Sequence, residues 1–192
     1  MKLPCTDLIT NQPEKYALTS DFCEVFTEEM NSLYLLCFLL TGDHEKAEKC
    51  FVAGLEDSTK GNSVFKQWAR SWAKRMIVEN AVWIIAPRPN HTNRTFLAAH
   101  LEPNSKSGRD REVLIQTVLD LPGFERFVFV MSVLERYSDQ DCSVLLGCTL
   151  QEISEARLRA CLQVAESYTK SDVADPAELI HRGDHSAETL VH

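Results

Sequence analysis

The stretch Tyr137–Gln163, YSDQDCSVLLGCTLQEISEARLRACLQ, holds two helix starts separated by one break. Ser138 with Asp141 forms a Ser-x-x-Asp variant of the capping box, and Thr149 with Glu152 forms the Thr-x-x-Glu version. In each, the side chains satisfy amides of the first turn that have no partner inside the helix. Gly147 follows Leu145 and Leu146 and suits the left-handed conformation that ends many helices. A helix of about two turns, a tight turn containing Gly and a longer second helix make a helix-turn-helix pattern. What the second helix reads depends on its outward residues.

Upstream, Leu121-Pro122-Gly123 breaks the chain, and Phe124 to Arg136 predicts a helix with Phe124, Phe127, Val128, Met131 and Leu134 inward. Arg111 to Leu119 predicts a shorter one. Residues 111–168 therefore read as a small tri-helical domain of winged-helix-like type, followed by a flexible tail, 169–192. Residues 87–110 read as a polar linker with one helical turn at Phe96–Ala99. Before it lies the longest predicted helix, Ser63 to Ile85, ended by Pro87 and Pro89. Its stripe of Phe65, Trp68, Trp72, Met76, Glu79 and Trp83 is spaced by three or four, with Lys66, Arg70, Lys74 and Arg75 on the other side. Two more helices are expected, Asp21 to Leu40 and His44 to Leu55, with Asp57–Asn62 a loop. Residues 21–86 form a first helical domain, and 1–20 an N-terminal arm. The fold class is all-α, two small helical domains joined by a linker.

With 44% hydrophobic and 25% charged residues, the 192-residue chain has the composition of a folded globular protein. No apolar run approaches the roughly 20 residues of a membrane span, and no signal-peptide pattern opens the chain, so a cytoplasmic protein is expected. Seven cysteines without a C-x-x-C pair fit buried apolar positions better than a disulfide framework or a zinc site. The net charge of −8 lowers the expectation of autonomous DNA binding, which leans on a basic footprint. No glycine-rich phosphate loop, G-x-S-x-G or acidic pair near a histidine is present, so no enzyme, cofactor or small-molecule substrate is expected. His181 and His185 are spaced i, i+4, but no Glu-x-x pattern precedes them and no metal is expected there.

Three stretches together resemble the RNA polymerase sigma factors of the extracytoplasmic-function type: Leu33–Phe51, Phe65–Val82 and Leu121–Leu162. They cover about two-thirds of the chain in the family's order and spacing. The resemblance implies a transcription initiation factor with a region-2-like first domain and a region-4-like second one. Core RNA polymerase and promoter DNA are the implied partners, with an anti-sigma or other regulatory protein left open. Glu48, Lys49, Val52 and Ala53 fall on the implied polymerase-facing surface. Lys49, Val52 and Ala53 stand where the family commonly has Asp and a Gln-Glu pair. Val82-Trp83-Ile84-Ile85 replaces an arginine run, and Ser154, Glu155 and Ala156 replace Lys, Ser and Arg in the recognition helix. Arg159 matches a basic family position, while Arg157 falls where the family has Leu.

The candidate DNA contacts are therefore Lys66, Arg70, Lys74 and Arg75, then Thr149, Gln151, Ser154, Glu155, Arg157 and Arg159. Gln pairs with adenine and Arg with guanine in the major groove. The competing reading makes Thr149–Tyr168 simply the last helix of a bundle and the third helix's cations a solvated face. Trp68, Trp72 and Trp83 can stack on an unpaired base, although Trp68 and Trp72 on the apolar stripe are expected in the core. A sigma-like protein-interaction module that has lost promoter recognition is the alternative function. An autonomous repressor or activator lacks an obvious dimerisation helix.

Overall fold

The computed structural model describes residues 15–60, 63–89 and 106–173. The expected helical turn at Phe96–Ala99, His181 and His185, and most of the arm and tail lie outside these residues. The described chain is all-α: α1 (Thr19–Glu28), α2 (Met30–Thr41), α3 (His44–Thr59), α4 (Ala69–Ile85), α5 (Lys106–Leu119), α6 (Gly123–Phe129), α7 (Asp139–Leu146) and α8 (Leu150–Val173). A 3-10 turn, Lys66–Trp68, precedes α4, and a π-helical turn, Val130–Leu134, extends α6. None of these helices is long and apolar enough to cross a membrane.

Where the expected helix Asp21–Leu40 should run, the chain breaks at Glu29 into two. Met30, counted on the apolar stripe, is 55% exposed, so the buried faces of α1 and α2 are out of register across the break. The C-terminal half of α2 is buried almost all round, from Leu36 to Thr41, as befits a central helix. The expected loop from Asp57 is helical to Thr59, because its polar residues find partners. The Ser58 hydroxyl donates to the Gly54 carbonyl at 2.6 Å, and Asp57 accepts from Asn80 at 3.0 Å.

The helix expected from Ser63 begins only at the 3-10 turn. Residues 63–65 are drawn out by the N-terminal segment instead: the Ala17 amide donates to the Val64 carbonyl at 2.7 Å, and Tyr16 stacks on Phe65 at 5.2 Å. Part of the expected arm is thereby docked. α5 starts at Lys106, inside the expected linker, and α8 continues past Tyr168 to Val173. In the expected helix Phe124–Arg136, Phe127 to Met131 are five successive buried residues. More of them point inward than one helical face holds, and the wider π turn accommodates them.

Helices α1–α4 form one group and α5–α8 a second. Their buried side chains join in one cluster, in which Leu36, Leu39 and Leu40 of α2 belong with Val118, Leu121 and Phe124. The groups meet where α2 touches α5, α6 and the π turn and where α4 touches α7. Arg126 of α6 bridges them. Its guanidinium donates to the carbonyls of Leu119, the last residue of α5, at 3.1 Å and of Leu40, near the end of α2, at 3.4 Å. Both acceptors lie at the negative ends of helix dipoles, which compensates a cation that burial discourages.

Candidate functional site

Three surfaces carry the residues singled out by the sequence. The first is α4 with the 3-10 turn before it. Arg70 and Lys74 lie one turn apart on α4 with Arg75 beside Lys74, Lys66 sits in the 3-10 turn before them, and all four meet carboxylates. Lys66 pairs with Asp21 at 2.6 Å, Arg70 with Glu29 and more loosely with Glu28 at 3.6 Å, and Arg75 with Glu79 at 2.9 Å. Lys74 reaches Glu135 of the second group at 2.7 Å. Asp21 is buried and also accepts from the Leu18 amide at 2.8 Å; Lys66 first, and this amide second, hold its carboxyl below the ordinary carboxylate value. The basic face is thus neutralised within the fold.

Beside it opens a cavity of about 650 Å³ lined by Val64, Phe65, Trp68, Trp72 and Arg75. Trp68 stands edge-on to Phe65 at 5.0 Å, and the ammonium of Lys15 lies 5.3 Å from the Phe65 ring centre. The indole N–H of Trp72 is buried without an acceptor. Trp68 and Trp72 were expected in the core. Trp68 is instead 55% exposed and Trp72 half-buried, because residues 63–68 leave the helical register that the stripe assumes. Trp83 is 83% exposed.

The second surface is α7, the turn and α8. The Asp141 amide donates to the Ser138 hydroxyl at 3.1 Å. The Thr149 amide donates to Glu152 at 2.8 Å while the Glu152 amide donates back to the Thr149 hydroxyl at 3.2 Å. Gly147 is left-handed, with φ 68° at Gly42 and 64° at Gly147 marking the two glycine helix ends. The Thr149–Glu152 cap and the Gly147 turn have the forms read from the sequence. Ser138 instead caps α7 through its hydroxyl alone, and Asp141 accepts from that hydroxyl and not from the Ser138 amide.

On α8, Ile153, Ala156, Ala160 and Val164 face the core, while Gln151, Ser154, Glu155 and Arg159 face outward. Ala156, read as an outward position, is fully buried; it lies three residues after Ile153 and four before Ala160, on the same face. Arg157 is half-buried and pairs with Asp139, tying α8 to α7. Arg159 pairs with the buried Glu125 at 3.1 Å and approaches Glu155 at 3.8 Å, and Glu155 accepts from Gln151 at 2.9 Å. Leu158 and Leu162 are 61% and 55% exposed on the face that carries Gln151 and Ser154.

The third surface is the outer side of α3. Glu48, Lys49 and Val52 are exposed and adjacent, with Ala53 half-buried at their margin; Lys49 pairs with Glu45 at 2.6 Å. Among the cysteines, Cys37, Cys50 and Cys142 are buried as expected, whereas Cys23 and Cys161 are exposed. No family model and no curated protein matches the sequence.

Glu29, Glu125 and Glu135 were not singled out, and Asp21 was read only as the start of the first helix, which in fact begins at Thr19. Nothing local marks the four as partners, since all four pairs join residues 34 to 61 positions apart. The aromatic cavity depends on the Tyr16–Phe65 bridge, which also has no local signal.

Proposed function

We propose that the protein is a sigma-factor-like transcription initiation factor that binds core RNA polymerase and promoter DNA. The observation that carries the reading is the aromatic cavity beside the four cations of the Lys66–Arg75 segment. Phe65, Trp68 and Trp72 offer ring faces to an unstacked base, at about 1–3 kcal/mol for each base stacked. The Trp72 N–H supplies a donor for a base acceptor, and the flanking cations suit the phosphates on either side. The capped α7–turn–α8 unit supports a second contact, with the start of α8 in the major groove. There Gln151 would read adenine and Arg159 guanine. Glu48, Lys49 and Val52 on α3 supply the polymerase-facing surface. Chemistry stays with the polymerase.

The ion pairs do not bar this role. The Arg75–Glu79 pair is open on both sides and worth about 0–1 kcal/mol, so a phosphate competes with it on nearly equal terms. The carboxylates facing Lys66, Arg70 and Lys74 are largely buried and are displaced at greater cost. The test is retention of the purified chain on core RNA polymerase, followed by runoff transcription. Failure to be retained sinks the reading.

One observation favours a second reading, a sigma-like interaction module without promoter recognition. Leu158 and Leu162 occupy the outward face of α8, and both arginines there are already paired. Such a face suits a protein partner better than a phosphate backbone. Retention on another protein with no DNA binding at any salt concentration would select it.

A further inference from the structure

α8 turns one face to the core, through Ile153, Ala156, Ala160 and Val164, and the opposite face to solvent. At about 100° per residue, Gln151, Ser154, Leu158, Leu162 and Ala165 fall within about 80° of one another on that outer face. All five are exposed and none is charged, in a chain of net charge −8. Leu158 and Leu162, one turn apart, sit at the centre of this strip with more than half of each in solvent. Single exposed leucines are ordinary, whereas two on an uncharged strip mark a contact surface. Charges begin only at its flanks. Arg157 on one side is turned to Asp139. On the other side Glu155 and Arg159 lie 3.8 Å apart, each half exposed.

We propose that this strip is the contact surface of a two-fold dimer, in which α8 of one copy of the chain lies antiparallel to α8 of a second copy. The strip is complementary to itself in one register. A two-fold axis at Leu158 sets that residue against its own copy. Leu162 of each copy then lies over Ser154 of the other, and Ala165 over Gln151, so that large side chains meet small ones and no charges are opposed on the strip. Such reciprocal pairing is what a two-fold interface requires. At the flank, the same register brings Glu155 of each copy beside Arg159 of the other, adding opposite-charge contacts between the copies to the loose pair within each. An unlike protein or a phosphate backbone finds no charge on the strip to read; a second copy finds a match. From Gln151 to Ala165 the strip is about 21 Å long. At a helix width it covers roughly 200–400 Å² per copy, below the about 800 Å² of a stable complex. The dimer is therefore of the transient kind, with a dissociation constant on the order of 10–100 μM. It rests on the second reading above, which gives this face of α8 to a protein, and it names that protein as the chain itself. A helix engaged in this way cannot also lie in a major groove, so dimer and duplex exclude each other on α8.

Sedimentation equilibrium of the full chain under reducing conditions, over concentrations that bracket this constant, is expected to show monomer passing to dimer. Leu158→Glu sets two carboxylates against each other at the axis and is expected to weaken the dimer by about tenfold or more. Gln163→Glu adds the same charge at an exposed position of α8 off the strip and is expected to leave the constant within about twofold. Helix content is checked by circular dichroism. If Leu158→Glu loses it, Ser154→Glu, set against Leu162 of the other copy, takes its place. The face is assigned by cross-linking. Cys161 beside the strip and Cys23 on α1 are both exposed. Two variants, each with Cys5 and Cys148 replaced by serine and with only one of these two thiols kept, are treated with a flexible bis-maleimide. The Cys161 variant is expected to give a covalent dimer and the Cys23 variant none. A chain that stays monomeric throughout, a dimer that a folded Leu158→Glu leaves intact, or cross-linking through Cys23 and not Cys161 overturns the proposal. The reading beneath it fails by a different result: binding of duplex DNA that Leu158→Glu abolishes makes the face a DNA surface.

Discussion

Glu155→Lys is the substitution that most directly asks whether α8 meets DNA. Glu155 is exposed, accepts from Gln151 at 2.9 Å and lies 3.8 Å from Arg159. Its replacement changes the local charge by two and frees the Gln151 amide. It also removes one of the two carboxylates near Arg159, leaving Glu125 at 3.1 Å. If α8 lies in a groove, one or two new phosphate contacts follow. Each contact steepens the logarithmic salt dependence by about 0.9. Between 50 and 200 mM salt, a contact is therefore worth roughly 3.5-fold in affinity loss, and two are worth roughly 12-fold. Fluorescence anisotropy with a duplex of mixed sequence across that range gives the slope directly. An unchanged slope in a folded Glu155→Lys protein refutes the placement of this face against phosphate. The neighbouring Ala156→Arg is a contrast and not a second test. Ala156 is fully buried, and an unpaired guanidinium among Ile153 and Ala160 is expected to cost several kcal/mol and cause loss of cooperative unfolding.

Arg136 is left-handed, with φ 60°, and its side chain is exposed. Arg136→Gly relieves about 1–2 kcal/mol of left-handed strain and costs about 0.5–1 kcal/mol of chain entropy. A net gain of roughly 0.5–1 kcal/mol is expected by urea titration, with Arg136→Ala near neutral. Gly42→Ala and Gly147→Ala both lose a left-handed glycine, but only at Gly42 does the added carbon meet the Arg126 guanidinium. Gly147→Ala is expected to lower Tm by about 2–4 °C, and Gly42→Ala by at least twice that. The folded Asp21 carboxyl sits below its ordinary value of 3.8 because Lys66 and the Leu18 amide favour the anion. Its contribution to stability is complete above the unfolded value and drains as pH falls through the lower folded one. The difference in stability between the parent and Asp21→Asn, followed from pH 6 into that acid range, is expected to shrink steadily.

The parts of the fold legible in the sequence are those that local chemistry decides. Ser138, Gly147 and Thr149 act within a few residues of themselves: Thr149 and Glu152 cap reciprocally, Gly147 takes the left-handed turn, and Ser138 caps α7 by its hydroxyl alone. The helix boundaries that differ are those set by distant partners. Residues 63–68 carry a helical stripe, yet the Ala17–Val64 hydrogen bond and the Tyr16–Phe65 stack draw them into an extended segment and a 3-10 turn. The break at Glu29 has the same origin. Arg70 from α4 pairs with Glu28 and Glu29, and the buried faces on either side turn to different neighbours. Periodicity reports that a stretch has an apolar side; it does not report which neighbours that side must satisfy.

The candidate site was legible as a set of residue types and not as an electrostatic surface. Counting Lys66, Arg70, Lys74 and Arg75 on one segment suggests a basic face in an acidic protein. In the fold, each is matched by a carboxylate from α1, α4 itself or the π turn and its end. The same holds on α8, where Glu125 and Asp139 meet Arg159 and Arg157. The negative net charge is therefore not spread evenly beside a basic patch but is partly spent on it. If a nucleic acid binds as proposed, it must displace these carboxylates, most of them largely buried, so affinity is expected to depend on how many pairs open together. On the proposed reading, the arrangement of the helix groups, with Lys74–Glu135 between them, matters as much for DNA binding as the number of cations.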